Sequence, residues 1–314
     1  MASRVIVAER EAEAIQSEAA STTFVVGAAR SGTTLLYKAL CLHPDAAYFN
    51  NYLRRLTGHP SASIANRIAR HTPRVRQRLW FKGGSNAYAY SRRRSLLTRL
   101  YPMPVEGEPA FARCGIGEFE VGQRVTPAQK WALRRTVAGV LRWGGGSCFV
   151  NKRIANLRHI RLLAEVFPAA RFINITRDGR PVALSLSKVD WWERRVVWWF
   201  GGTPQAWREQ GRDAWELCAR NWVEEVRAIE EAFANVDPTR VLRVTYEELV
   251  ADPVDIVQRV AEFAGLSDDP GWRAEIGRLR VNNRNDHWRE RLPPEAVERI
   301  ESVQAEELRR RGYL

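Results

Sequence analysis

One strand–loop–helix segment near the N-terminus restricts this chain more than any other feature. Thr23-Phe24-Val25-Val26 is a short apolar run that reads as a buried β-strand. Gly27-Ala28-Ala29-Arg30-Ser31-Gly32-Thr33-Thr34 follows, and Leu35-Leu36-Tyr37-Lys38-Ala39-Leu40 reads as the opening of a helix. Strand, glycine loop and helix N-terminus make an anion cradle, because the loop amides point inward and the helix dipole adds partial positive charge. In a nucleoside-triphosphate loop the second glycine is followed by lysine and then Ser or Thr. Gly27 and Gly32 keep the glycine spacing, but Thr33 stands in the lysine position. The loop therefore predicts phosphate binding without the group that reaches a β/γ-phosphate. Arg30 supplies a cation at a different place.

A second strand, Ala170-Arg171-Phe172-Ile173-Asn174-Ile175-Thr176, ends in Arg177-Asp178-Gly179-Arg180-Pro181. Val182 to Ser187 starts a helix, with Pro181 suited to its first turn. Arg177 at the strand end and Ser185 a turn into the helix can converge on one oxyanion, as a charged fork and a hydroxyl donor. The competing arrangements pair Arg177 with Asp178 or Glu165 and bond Ser185 back to its own helix. Further on, a strand over 240–245 leads into Tyr246-Glu247-Glu248-Leu249-Val250-Ala251-Asp252-Pro253, and Asn282-Asn283-Arg284-Asn285-Asp286-His287-Trp288-Arg289 lies near the C-terminus.

Taken together these segments resemble the PAPS-dependent sulfotransferase superfamily, in its broad bacterial and carbohydrate-type branch, from about residue 22 to 312. Such enzymes pass the sulfonate of 3′-phosphoadenosine 5′-phosphosulfate (PAPS) to a hydroxyl or amine. The resemblance implies that Arg30, Ser31, Gly32, Thr33 and Thr34 hold the 5′-phosphosulfate, that Arg177 and Ser185 hold the 3′-phosphate, and that Tyr246 lies near the adenine. Arg284 falls in the strip that closes over the 3′-phosphate, although Asn283 replaces its usual glycine. Leu35 stands where many steroid and phenol sulfotransferases carry an adenine-stacking Trp. Lys152 matches the lysine of the family's E-K-[TS]-P segment, with Asn151 and Arg153 as altered neighbours, and is placed to contact sulfonate or acceptor. Arg30 acts as a charge stabiliser in this scheme, because guanidinium does not readily give up a proton. Glu106 is the expected general base, with Glu108, His59 and His287 as alternatives. His43 is expected to stabilise a helix end. The reaction implied needs no metal.

Composition sets bounds on this reading. The chain has 314 residues and 45% hydrophobic content, with twelve Trp, ample for a large core. The expected architecture is α/β, a central parallel sheet flanked by helices with the P-loop-like phosphosulfate loop at a strand end. Residues 1–20 are expected as an N-terminal helical arm and 21–314 as one sulfotransferase domain, with a cap at about 50–130 and a Trp-rich insert at about 189–215. The net charge is +13, carried by 49 Lys and Arg against 36 Asp and Glu. That field suits an anionic donor. Arg92-Arg93-Arg94 and Arg309-Arg310-Arg311 suit nucleic acid or an anionic membrane as well, but nothing resembling a nucleic-acid-binding motif accompanies them. Partners are therefore expected to be a small-molecule, lipid or glycan acceptor, with peripheral membrane contact as a further option and no nucleic acid.

Trp191-Trp192 and Trp198-Trp199 read as core, or in part as an apolar acceptor pocket or membrane-facing patch. The four cysteines, Cys41, Cys114, Cys148 and Cys218, show no paired spacing, which fits a reducing compartment. With no secretory or membrane-spanning run, a cytoplasmic enzyme is expected. A P-loop kinase or other NTPase, or a basic binding protein without catalysis, are the rival classes. Thr33 argues against the first, and the Arg177/Ser185 pair against the second.

Overall fold

The computed structural model describes residues 21–81, 99–118 and 122–314. The arm expected over 1–20 and the Arg92-Arg93-Arg94 run lie outside them. Among the described residues, five strands form one parallel sheet: β1 (Thr22–Val26), β2 (Ala46–Ala47), β3 (Cys148–Lys152), β4 (Arg171–Thr176) and β5 (Val241–Thr245). Their spatial order is β2-β3-β1-β4-β5. β1 and β3 are buried along their whole length, as their near-continuous apolar runs require when helices cover both sheet faces. The chain runs from β1 to one side of the sheet for β2 and β3, then returns to the other side for β4 and β5. The crevice between the ends of β1 and β4 is thus the topological switch point, where ligands of open α/β sheets bind.

The helices that position this crevice follow local sequence signals. The Thr33–Cys41 helix starts directly from Gly32, which sits at φ 91°. The Gly179–Leu186 helix is capped by Asp178, whose side chain accepts from the Arg180 amide. The Pro127–Gly144 helix opens on a capping box between Thr126 and Gln129 and ends at Gly145 in the left-handed region. The Ala214–Phe233 helix packs against the Gly179–Leu186 and Pro294–Arg310 helices.

Several elements differ from the sequence expectation. A 3₁₀ turn, Ile154–Arg158, precedes the α-helix Ile160–Val166. Buried Asn156, in that turn, donates to the Asn151 side chain at 3.0 Å. Ala46–Ala47 adds a strand too short to show as a pattern. The Trp191–Phe200 stretch is a 3₁₀ turn and a loop closed by a Val197–Gly202 bridge. Its aromatics serve a second core cluster, in which Trp192, Trp207 and Trp288 are buried with Leu186, Leu217 and Ile300. Trp191 remains partly exposed.

Between β2 and residue 106 the chain builds a cap from the Pro60–Ile64 turn and the Ala65–His71 and Pro73–Trp80 helices. The cap is tied to the body by a buried ion pair between Arg76 and Glu275 of the Pro270–Gly277 helix, both about 7% exposed, with Arg76 Nε donating at 3.1 Å. Removing one partner leaves an uncompensated buried charge. Arg76→Ala is expected to cost about 3–5 kcal/mol of stability, while an Arg76→Met/Glu275→Leu pair recovers most of it. Denaturant unfolding of the three proteins checks this, and equal loss in single and double variants would contradict it.

Candidate active site

The phosphate loop leaves β1 beside β4. Register pairs Val26, the last residue of β1, with Asn174, so β4 runs on beside the loop to Thr176 and Arg177 emerges next to it. Gly27 is required here: an added Cβ would collide with the Ile175 carbonyl of β4. Gly32 is required twice over, by its φ of +91° and because an added Cβ would lie 2.6 Å from the Tyr246 ring. Arg30 also takes a positive φ, 71°, which is uncommon for a residue other than glycine. The amides of Arg30, Gly32 and Thr33 take no internal hydrogen bond among the described residues, and Ser31 Oγ is buried without a partner. An orphaned buried hydroxyl beside free amides at a helix N-terminus is what a phosphate oxygen satisfies. The helix's lysine does not serve the loop: Lys38 is buried, with Nζ donating to the Trp80 carbonyl at 3.1 Å.

Arg177 is free of both rival carboxylates. Asp178 pairs with Arg180 at 2.8 Å, and Glu165 pairs with Lys130 at 2.5 Å. Its guanidinium instead donates to the Arg30 carbonyl at 3.2 Å, the Arg284 carbonyl at 3.2 Å and Asn285 Oδ1 at 3.0 Å. It also lies over the Tyr246 ring, 4.0 Å from its centroid. Trp222 Nε1 donates to the Arg177 carbonyl at 3.1 Å and fixes the backbone. Burial lowers the Arg177 pKa below the usual guanidinium value, an effect opposed by Tyr246, Glu247 and Asp178.

Arg30 Nε donates to Ser185 Oγ at 3.0 Å, so the two phosphate motifs meet directly. Although its side chain reaches the surface, desolvation by surrounding protein lowers the Arg30 pKa, and the charges of Arg177 and Arg284 lower it further. Through the Arg177 bonds to the Arg30 and Arg284 carbonyls, the three arginines meet at the mouth of the loop. Tyr246 is only 7% exposed, its ring wedged between Gly32 and Arg177, with Oη 3.4 Å from the Asn282 carbonyl that accepts from it. Arg284 is exposed in the loop before the His287–Arg291 helix.

The structure also brings Glu106 and Lys152 together. Lys152, the last residue of β3, places Nζ 2.6 Å from Glu106 Oε1, while the Ile154 amide donates to Oε2 at 3.3 Å. Asn151 Nδ2 donates to the Glu106 carbonyl at 3.0 Å and holds the loop that carries it. Lys152 pairs in register with Val25, two residues before Gly27, which sets the ion pair at the same end of the sheet as the loop. Glu108 turns instead to Arg153, 3.3 Å away, and burial raises its pKa against the pull of that guanidinium. His59 is exposed at the start of the cap's 3₁₀ turn, and His287 is exposed beside the Arg284 strip. His43 is buried at the end of the Thr33–Cys41 helix, its Nδ1 accepting from the Asp45 amide at 3.0 Å and Nε2 lying 2.9 Å from the Ser267 carbonyl.

Two contributors went unread in the sequence. Asn285 grips Arg177 and also donates to Glu247 Oε1 at 2.9 Å. Its signal was only a polar position next to Arg284. Glu225 is buried on the Ala214–Phe233 helix and accepts from the Ala29 amide of the loop at 2.7 Å. Burial raises its pKa, opposed by that amide and by Arg158 and Arg195. A carboxylate on the buried face between Trp222 and Ile229 was the available clue. A hollow of about 680 Å³ lies elsewhere, between Arg227, Arg243 and Glu307. Its charges are matched internally, with Arg227 within 3.0 Å of Glu306 and Glu307, so it offers no excess charge to an anion.

A nucleotide-type loop without its lysine, joined to a second arginine site at the switch point, makes an anion-binding site, and sequence comparison gives the class of enzyme that carries it. Residues 23–270 match the model of the sulfotransferase family, to which the chain belongs. It is a PAPS-dependent sulfotransferase. Over 289 residues it is 25% identical to the omega-hydroxy-beta-dihydromenaquinone-9 sulfotransferase Stf3 of Mycobacterium bovis, covering 84% of this chain and 67% of that one, and the Mycobacterium tuberculosis protein matches equally. The sulfotransferase STF9 of Mycobacterium avium shares the fold, with a TM-score of 0.56 at 18% identity over 91% of this chain and 76% of that one. No described helix is long and apolar enough to cross a membrane.

Proposed function

We propose that the chain binds PAPS across the ends of β1 and β4 and transfers its sulfonate to a hydroxyl, or amine, of a lipid or other small-molecule acceptor. The observation that carries this reading is the meeting of the two strand-end motifs, with Arg30 Nε donating to Ser185 and Arg177 donating to the Arg30 and Arg284 carbonyls. Burial lowers the Arg30 pKa, and the charges of Arg177 and Arg284 add to that by repulsion. An anion lodged among them relieves that repulsion. Ser31, Gly32, Thr33 and Thr34 with Arg30 hold the 5′-phosphosulfate. Arg177, Ser185 and Arg284 hold the 3′-phosphate, and Tyr246 backs Arg177 beside the nucleotide.

The bound co-substrate supplies a sulfonate on a phosphate leaving group. The chain's own residues do the rest. Glu106 takes the proton of the acceptor hydroxyl as the new S–O bond forms. Lys152, 2.6 Å from that carboxylate, orients it and donates to the sulfonate oxygens. Arg30 offsets the charge that gathers on the departing phosphate, and keeps its own proton. Positive charge comes from side chains throughout, so the reading includes no metal. The hydroxylated menaquinone named for the mycobacterial relatives supports a lipid acceptor here. Four cysteines that are all free thiols and buried support a cytoplasmic setting.

Titration with adenosine 3′,5′-bisphosphate is expected to give a saturable rise in melting temperature, about 2.7 kcal/mol of stabilisation at a hundred times Kd. ATP is expected to give none, since Thr33 replaces the lysine that reaches its outer phosphates. An equal shift with ATP, or no shift with the bisphosphate, would sink the reading.

A further inference from the structure

We propose that the cap built between β2 and Glu106 is a docking surface for an anionic lipid bilayer. Two independent observations meet there. The first is charge. Between Asp45 and Glu106 the chain has no Asp or Glu, yet twelve Lys and Arg, eight of them among the described residues. Arg55, Arg74 and Arg78 are exposed and make no ion pair among the described residues. Arg67 and Arg70 donate to carbonyls at the end of the Pro127–Gly144 helix, at 3.0 Å to Trp143 and 2.9 Å to Gly145, so their charge is not cancelled. Arg76 meets its carboxylate in the interior.

The second observation is apolar exposure. Ile64 and Ile68 stand one helical turn apart and are 52% and 57% exposed. Leu56, Val75 and Leu100, on the same cap, are 49%, 44% and 60% exposed. The cap is held as one body: Tyr101 Oη lies 2.6 Å from Thr72 Oγ1, between its two helices, and Asn50 Nδ2 donates to Asn66 Oδ1 at 2.8 Å. A nucleic acid would engage the arginines and leave the isoleucines in water. An anionic bilayer takes both, with lipid phosphates meeting the guanidiniums and the acyl boundary receiving the isoleucines.

The cap is rooted at the site. Asn50 bridges to Pro104, two residues before Glu106, so the chain leaves and rejoins the body next to the Glu106–Lys152 pair. A bilayer held on the cap brings membrane-dissolved acceptor to that edge; this consequence, unlike the surface itself, rests on the proposed function.

Sedimentation with phosphatidylglycerol/phosphatidylcholine vesicles tests it, comparing wild type with Ile64→Ser/Ile68→Ser and Arg74→Gln/Arg78→Gln. The wild type is expected to pellet with anionic but not with pure phosphatidylcholine vesicles. The arginine pair should weaken partitioning about 25-fold, from about 1 kcal/mol per charge, and the isoleucine pair about tenfold. All three proteins should keep the bisphosphate-induced thermal shift, which shows that they are folded. If wild type pellets but shows no such shift, the nucleotide reading fails and the docking surface stands. A wild type that stays in the supernatant with anionic vesicles overturns the proposal. So does an isoleucine pair that partitions normally, or a short DNA duplex that binds more tightly than the vesicles.

Discussion

Arg177→Ala is expected to lower affinity for adenosine 3′,5′-bisphosphate by about 100-fold, since charge-assisted hydrogen bonds contribute about 1.5–3 kcal/mol. The guanidinium makes three donations to the loop and the Arg284 strip and also stacks on Tyr246, so the substitution removes a ligand contact and loosens its frame. Arg177→Lys separates the two effects. A lysine keeps the charge but cannot span Asn285 and both carbonyls, so it should recover only part of the affinity. Isothermal titration on the three proteins, with denaturant midpoints as the stability control, reads both. Unchanged affinity in Arg177→Ala would move the 3′-phosphate away from the end of β4.

The second large effect is catalytic. Glu106→Gln should lower kcat by about 10²–10⁴-fold, the range for losing a positioned general base, with nucleotide binding intact. Glutamine keeps the size, and its one carbonyl oxygen can still accept from Lys152, although its amide nitrogen cannot accept from Ile154, so most of the local frame survives. Lys152→Met should also depress kcat, and the double variant should lose little beyond the worse single one, because groups acting as a unit are not additive. Glu108→Gln is the discriminating control. Glu108 is committed to Arg153, whereas Lys152 pairs with Glu106, so the change should leave kcat within a few-fold. The opposite ranking of the two glutamines would transfer the base to Glu108.

The parts of the site that were legible in the sequence are those built from consecutive residues. Gly27 to Thr34 form one loop, and its spacing survives in the structure because both glycines have steric reasons, Ile175 behind one and Tyr246 beside the other. Arg177 was legible for the same reason, at the end of an apolar run whose β-character was plain. Harder to read were residues whose role depends on a neighbour far along the chain. Asn285 and Glu225 reach the site from 108 and 196 residues away from their partners. The Trp191–Trp199 stretch was ambiguous because aromatic density alone does not say which face is covered; packing against Leu186, Leu217 and Ile300 decides it.

By itself, then, the sequence determined the class of sheet, the two strand-end loops and the anionic nature of their ligand, since these follow from local periodicity, glycine geometry and the missing lysine. Only the tertiary structure decided which groups face one another. It set Arg30 against Ser185, Glu106 against Lys152 and Glu108 against Arg153, although Glu106 and Glu108 are two residues apart. Such choices turn on desolvation and on distances of a few ångströms between segments. A linear pattern carries no such information, because burial and charge pairing are set only when the sheet brings the strand ends together.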